Sequence, residues 1–569
     1  MNPSRYYQLH QNLIKKAIEE LYYEELLRVK VTEDGSYKLD INNSISYRFK
    51  AISGPWDNIH ITSDCMQKLI DDKEVSNFTI GDFFYEIQEV CQMDDETLVR
   101  YLEESNQTLY SDSIVDENLK DLNFKELLKK NYTSIDQLLP GHPKLIMNKG
   151  RIGWSLTDID NYSPERRARF KLRWIAVRKT ICQIGIDQKI AQNYLDRDGR
   201  QLNEKIDNNQ YQLMSVHPWQ WNNYIATQFL EEIMRKDIID FGEGSINYSP
   251  QASLRTLSNR DARERHSYDT KVSLSILNTS CVRGIPGKYI REGYKISRRL
   301  EELIQADELL CHQLDILKEV AAVKVSKPSF ERAELGSYRY KELLGCVWRE
   351  SVEAKTSEAE MAIPVAGLLL ENEDSSFVKE LIINSELGAE QWLKDYTRVV
   401  ILSLYRLQVE HGLGLVAHGQ NTILVMENSR PSRLIIKDFH GDLRISTNSK
   451  HLDDESFNIL DRLPEEYLIH DLLTGHFITV LRYLSRIMNF NGLLSEEHFY
   501  KIIANEIMQY HLEWGEPQNN VNLLRDRIEK VLVNRVRFSA GYSETSTRLK
   551  PLLGREIENP LKKYLEVRI

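Results

Sequence analysis

The stretch HGQNTILVMENSRPSRLIIKDFHGDLR, residues 418–444, carries the clearest chemistry in the chain. Its apolar runs predict two strands, Thr422–Met426 and Arg433–Lys437, joined by a polar turn. A hairpin brings its outer ends together, so His418, Gln420 and Asn421 before the first strand meet Asp438 after the second. An amide oxygen and a carboxylate beside phosphates suit Mg²⁺, which takes oxygen ligands. Asn421 and Asp438 are therefore candidate metal ligands. The same order of Asn, hairpin and Asp occurs in kinase-like phosphotransferases, where a nearby carboxylate takes the substrate hydroxyl proton. Here Gln420 stands in that neighbourhood, and a neutral amide cannot accept the proton. The pattern points to ATP use with attack at a different phosphorus; the competing reading is a packed polar hairpin.

Cations come from the middle of the chain. QASLRT predicts a strand with Ser253 and Arg255 on one face and Thr256 at its end. KVSLSILNTSCVRG adds Lys271, Thr279, Ser280 and Arg283. Hydroxyls and guanidinium forks suit phosphate or carboxylate oxygens. Each residue alone reads as a surface Arg or a satisfied strand Thr, but charges placed among apolar strand residues need partners. No GxxxxGK loop is present, so phosphate binding rests on these side chains. His142, in GHPKLIMNKGRIGWS, reads either as a carboxylate-binding or catalytic group or as a turn cap. His217, in VHPWQ, reads as a structural turn packed by an aromatic.

The elements that must position these groups follow from patterning. With 569 residues, the chain needs more than one hydrophobic core. At 41% hydrophobic and 28% charged it has globular composition, and a net charge of −11 argues against a general nucleic-acid binder. Six scattered cysteines without a CxxC pair fit reduced, mostly buried thiols. The first 29 residues read as an amphipathic helix and not as a signal peptide, and the longest apolar run, Met361–Leu370, is too short to span a membrane. A cytoplasmic protein with no membrane or nucleic-acid partner is expected.

Residues 1–125 predict helices, including Gln11–Leu27 and Ile61–Asp71, around a strand pair at Tyr37–Lys50. Pro164–Ile186 predicts a helix opened by proline, its basic residues forming a solvated or salt-bridged face. From Tyr211 to Val325, short β-branched segments predict a largely antiparallel sheet, with a helical insertion at 292–314. A polar turn at Glu371–Ser376 precedes a helical region: Asp395–Leu413 as a central helix, then Leu452–Phe477 and Glu496–His511.

Taken in order, GHPKLIMNKGRIGWS with YSPE, VHPWQ, QASLRT, KVSLSILNTSCVRG, AHGQN and KDFHGDLR resemble the pattern of the IucA/IucC family, the NRPS-independent siderophore synthetases. The matched span runs from about residue 140 to 444. The resemblance implies an α+β fold shaped like a cupped hand: a helical thumb (1–125), antiparallel β-rich fingers (126–355) and a mostly helical palm (356–569). It implies adenylation of citrate, a citrate derivative or 2-oxoglutarate, then condensation with an amine or hydroxyl nucleophile, releasing AMP and pyrophosphate. By motif, Ser253, Arg255 and Thr256 resemble a phosphate-binding trio and Lys271 a further phosphate contact. Thr279, Arg283, His142 and His418 resemble the group around the carboxylate and reacting phosphate. Gln420 and Asn421 belong on the nucleotide side, with Asn421 and Asp438 at Mg²⁺. A homodimer is expected from the same resemblance.

Two departures stand out: Val416 where relatives carry Glu before AHGQN, and Lys437 where Arg precedes the motif Asp. A C-terminal basic motif is only loosely matched, by Lys530 and Arg535. The alternatives are a kinase-like small-molecule phosphotransferase, which would release ADP, and a catalytically idle binding protein that kept the fold.

Overall fold

The computed structural model describes residues 3–62, 66–190, 193–261, 268–279, 281–333, 337–439, 441–540 and 552–565. Ser280 and Cys65 lie outside them. At its centre is an eight-stranded sheet, ordered Tyr211–Val216, Phe170–Arg178, Ile238–Pro250, Thr256–Asn259, Tyr268–Val272, Gly345–Glu350, Glu319–Val325 and Cys182–Ile186. Every neighbouring pair in it is antiparallel, as the β-branched segments predict.

Two members of that sheet correct the helix expected over Pro164–Ile186. Phe170, Leu172 and Trp174 are buried while Lys171 is exposed and Arg173 half-buried, a period of two that a helix cannot satisfy. The basic residues pair with the next strand: Arg173 with Asp240 at 2.5 Å and Arg178 with Asp237 at 2.7 Å. Their salt-bridged reading holds on a strand.

The N-terminal region carries more strand than the one pair expected at Tyr37–Lys50. Helices Pro3–Tyr23 and Asp95–Lys120 pack with a five-stranded antiparallel sheet that includes Gln67–Ile70, within the stretch expected to be helical. Four residues of mixed polarity are too few for a helix, and pairing with Ile45–Phe49 supplies their backbone bonds. Of the five cysteines described, Cys91 and Cys346 are buried, Cys182 and Cys281 are half-buried and Cys311 is exposed, a less buried set than expected.

The expected hairpin is present as Thr422–Glu427 paired with Arg430–Ile436. Glu360–Pro364 flanks one side and Leu314–Ile316 pairs parallel on the other. Behind it, Ala389–His411 runs as one helical rod with a π-turn at Thr397–Leu402, matching the predicted central helix. Glu496–Trp514 is the longest C-terminal helix. The helix Gly293–Ala306 gives Ile296, Leu300 and Leu303 to the same core as these helices, so the insertion joins sheet to helical body. Among the described residues, no helix is long and apolar enough to cross a membrane.

The N-terminal helix is fixed to the C-terminal body by a buried ion pair, Glu20–Arg482 at 2.6 Å, with the Tyr483 hydroxyl donating to Glu20 at 2.5 Å. Burial works to raise the Glu20 pKa, yet Arg482 and Lys144 hold it below the ordinary carboxylate value. Removing one partner strands the other's charge in the interior. Arg482→Met is expected to lower unfolding free energy by about 3–5 kcal/mol in urea melts at pH 7.

Candidate functional site

The hairpin closes as predicted: Lys437 N–H donates to the Asn421 carbonyl at 3.1 Å, setting Asn421 beside the Lys437–Asp438 corner. Asp438 takes a left-handed conformation, φ +65°, which Asp tolerates better than most residues. Its carboxylate meets the eight-stranded sheet. Lys271 Nζ lies 2.5 Å from one oxygen and Arg349 Nη1 3.1 Å from the other. Strand register explains the convergence, because Lys271 pairs with Thr256 on one side and Val347 on the other, and Arg349 pairs with Asp269. Burial opposes ionisation of Asp438, but Lys271 and Arg349 outweigh it and hold its pKa well below the carboxylate range.

Arg349 is the member that sequence reasoning missed. Its signal was present: a guanidinium in the apolar strand GCVWRE must find carboxylates, and it finds Asp269 at 3.4 Å besides Asp438. The Lys437 side chain donates to the Tyr132 hydroxyl at 3.0 Å, close enough to Arg349, Asp438 and Asp269 to feel their charges. Burial, reinforced by Arg349, brings its pKa down to about 8. The Lys that replaces the motif Arg therefore bonds to Tyr132 and adds its charge beside Asp438.

QASLRT corrects a second expectation. It is a turn, with Leu254 at φ +69° and Leu254 N–H bonded to the Gln251 carbonyl at 2.8 Å; the strand begins only at Thr256. The Ser253 hydroxyl accepts from Thr256 N–H at 3.2 Å, so the serine caps the turn and does not share a strand face with Arg255. Arg255 instead donates to the Gly284 carbonyl, while Arg283 donates to the Thr279 hydroxyl, Thr279 itself being left-handed at φ +62°. Burial lowers the Arg255 pKa, and the adjacent Arg283 charge lowers it further. Among the described residues, Arg283 Nε is buried with no hydrogen-bond partner. Two neighbouring guanidiniums, one with an unpartnered donor, suit a polyanion. Glu342 flanks Gly284, where a methyl group would strike it, and burial pushes its pKa up to about 7 against the pull of Arg255 and Lys324.

His142 and His418 face each other with ring centroids 6.1 Å apart. In both rings Nδ1 accepts a backbone N–H, from Leu145 at 3.2 Å and Gln420 at 3.3 Å. That bonding assigns the neutral tautomer with the proton on Nε2, a donor. Burial, then His418, pulls the His142 pKa well below its ordinary value, so it is a neutral donor at pH 7.

The His418 loop is held by backbone. Ala417 N–H donates to the Asp471 carbonyl at 3.0 Å, Val416 N–H to Asp442 at 2.9 Å, and Ala366 N–H to Gly419 at 2.9 Å. His476 Nδ1 bonds the Ala417 carbonyl at 3.0 Å, and its Nε2 meets Tyr396 Oη at 2.9 Å. Val416 contributes through its backbone: its carbonyl accepts from Asn421 Nδ2 at 3.3 Å, and the same amide donates to Asp442 at 3.1 Å.

His217 keeps its structural reading, accepting from Trp219 N–H at 3.1 Å beneath the Tyr162 and Phe170 rings. Lys530 is tied to the Tyr23 carbonyl at 3.0 Å and to Asp57 at 2.6 Å, and Arg535 N–H to Glu24 at 2.8 Å. Both therefore anchor the N-terminal region.

Among the described residues, no group of three or more His, Cys, Asp or Glu is arranged to hold a metal. Mg²⁺ keeps waters and phosphate oxygens and needs only one or two protein carboxylates. Asp438, the Asn421 amide oxygen and the adjoining Asp442 supply hard oxygen donors, and each Asp438 oxygen has a second lone pair beyond its ion pair.

A family model described as IucA / IucC family matches residues 131–370, and one described as ferric iron reductase FhuF-like transporter matches residues 390–546. The aerobactin synthase of Escherichia coli is 32% identical over 99% of this chain and 98% of its own length. A Bacillus anthracis protein named citryl-spermidine/3,4-dihydroxybenzoyl-citryl-spermidine:spermidine ligase is 28% identical over 99% and 95%. Among solved structures, aerobactin synthetase IucC from a hypervirulent Klebsiella pneumoniae pathotype superposes with TM-score 0.85 at 29% identity, covering 99% of this chain and 100% of that one. ATP-bound aerobactin synthetase IucA from the same source shares the fold at TM-score 0.78 and 15% identity, covering 97% and 99%.

Two outcomes test this geometry. A Cβ on Gly475 would lie 2.8 Å from Ala417 N, so Gly475→Ala must displace the loop before His418. Turnover should fall about tenfold or more while the melting temperature moves by only a few degrees. The raised Glu342 pKa means the folded state holds a proton that the unfolded state releases at lower pH. Stability from this group is therefore lost as pH rises from about 4.5 through 7. Urea melts at pH 5 and 8 should show wild type losing stability relative to Glu342→Gln across that interval.

Proposed function

The chain belongs to the IucA/IucC family, and from that premise we propose how its site works as an ATP-dependent carboxylate–amine ligase of siderophore biosynthesis. The carrying observation is the paired guanidiniums of Arg255 and Arg283, with an open Nε, beside the Lys271–Asp438–Arg349 cluster. Like charges are held together there for a polyanion to neutralise. Citrate and ATP are both anionic, and bringing them together needs that charge already in place.

A carboxylate oxygen of the acid attacks the α-phosphorus, the bond to the β-phosphate bridge breaks, and pyrophosphate leaves. The neutral amine then attacks the acyl carbon, the bond to AMP breaks, and the nitrogen passes one proton to water to leave the amide. Arg255 and Lys271, with the Ser253 and Thr256 hydroxyls, hold phosphate oxygens. Arg283 and Thr279 hold the acid and the reacting phosphate. His142 and His418 act as neutral Nε2 donors to anionic oxygens, since their Nδ1 lone pairs are already engaged. Gln420 lies on the nucleotide side. Asn421 and Asp438 would hold Mg²⁺, which offsets phosphate charge when bound.

The ligase named for citryl-spermidine supports citrate or a citrate monoamide as the acid and a polyamine or other amine as nucleophile. The ATP-bound relative supports ATP as the nucleotide. The reading carries with it thumb, fingers and palm at 1–125, 126–355 and 356–569, a cytoplasmic location and a homodimer.

The test offers purified protein ATP, Mg²⁺ and hydroxylamine with citrate, a citrate monoamide, 2-oxoglutarate or succinate, and separates the nucleotides. Acid-dependent AMP and pyrophosphate with a hydroxamate are expected, and chelation by EDTA should abolish them. ADP as the product overturns the reading. Arg283→Ala should cut AMP formation on the order of 10²–10³-fold.

A further inference from the structure

Three lysines gather behind His142, and their charges are handled differently. Lys144 lies 2.8 Å from Glu24 and 3.5 Å from Glu20, and Lys149 lies 2.7 Å from Asp112. Both are buried and neutralised. Lys16, on the N-terminal helix, is half-buried. Its Nζ donates to the His142 carbonyl at 3.1 Å, and among the described residues it makes no ion pair. A carbonyl satisfies one of three ammonium protons, and Asp112, Glu20 and Glu19 act on the charge only from beyond ion-pair distance. Two donors therefore remain, close to the imidazole that faces His418.

We infer that Lys16 binds a carboxylate of the acid substrate other than the one being activated, which makes it a specificity-determining residue for polycarboxylates. The inference rests on the proposed reading of His142 and His418 as donors to the acid. Burial brings the Lys16 pKa down to about 8, against Asp112, Glu20 and Glu19 nearby, with Lys149 pushing the same way as burial. An anion bound there would relieve that strain. This sets a division of labour in which Arg283 takes the reacting carboxylate and the N-terminal helix measures whether a second is present.

The test is equilibrium binding of citrate and of a citrate monoamide by calorimetry, without ATP, to wild type, Lys16→Met and Lys16→Arg. Loss of one charge-assisted contact should weaken citrate binding by about 10–100-fold in Lys16→Met. Lys16→Arg should stay within about threefold of wild type, and ATP affinity should not change in either variant. 2-Hydroxyisobutyrate, a monocarboxylate bearing the same hydroxyl, should bind wild type and Lys16→Met alike. Equal citrate affinity in wild type and Lys16→Met overturns the assignment, as does a parallel loss of ATP affinity. So does wild type that binds no citrate or monoamide. Binding reads Lys16 independently of adenylation, which is judged by AMP release, so either can fail alone.

Discussion

The site depends on one carboxylate held by two cations from a neighbouring sheet. Asp438 ends the hairpin in a strained corner, and Lys271 and Arg349 reach it from adjacent strands of the eight-stranded sheet. Without Asp438, Lys271 would lose its ion pair and Arg349 would keep only Asp269; without the two cations, the carboxylate would not stay ionised in the interior. The ion triad fixes the distance between sheet and hairpin and hence the space between Arg255 and Asn421.

Much of this was legible because hairpins and charges obey local rules. The apolar runs on either side of Glu427–Arg430 required a turn, and closing it brought Asn421 to Asp438. Misread segments failed for identifiable reasons. Pro164 looked like a helix start, but Phe170, Leu172 and Trp174 alternate with Lys171 and Arg173, and the two-residue period decided the matter. QASLRT looked like a strand, but the left-handed Leu254 and the Ser253 cap make it a corner. Arg349 and Lys16 could not be placed because their roles come from strand register and helix docking, which no short window contains.

The loop before His418 illustrates how a flexible-looking sequence is made rigid. AHGQN contains a glycine and small residues, yet three backbone hydrogen bonds and the His476–Tyr396 pair fix it against helices. Burial brings the His476 pKa down to about 4, so this support stays neutral through the physiological range. The His418 loop thus has its position set by packed elements behind it.

The contact of Lys530 with the Tyr23 carbonyl, joined by Asn534 and Arg535 to Glu24, spans 507 residues of chain. At about 5–20 residues per second, the ribosome takes roughly half a minute to a minute and a half to supply the second half of that contact. Through that interval Glu24 has only Lys144 to answer its charge, and the N-terminal helix waits incompletely docked. The segment that receives the acid's surplus charge is thus completed last, so a nascent or truncated chain cannot form a finished site ahead of its own C-terminal region.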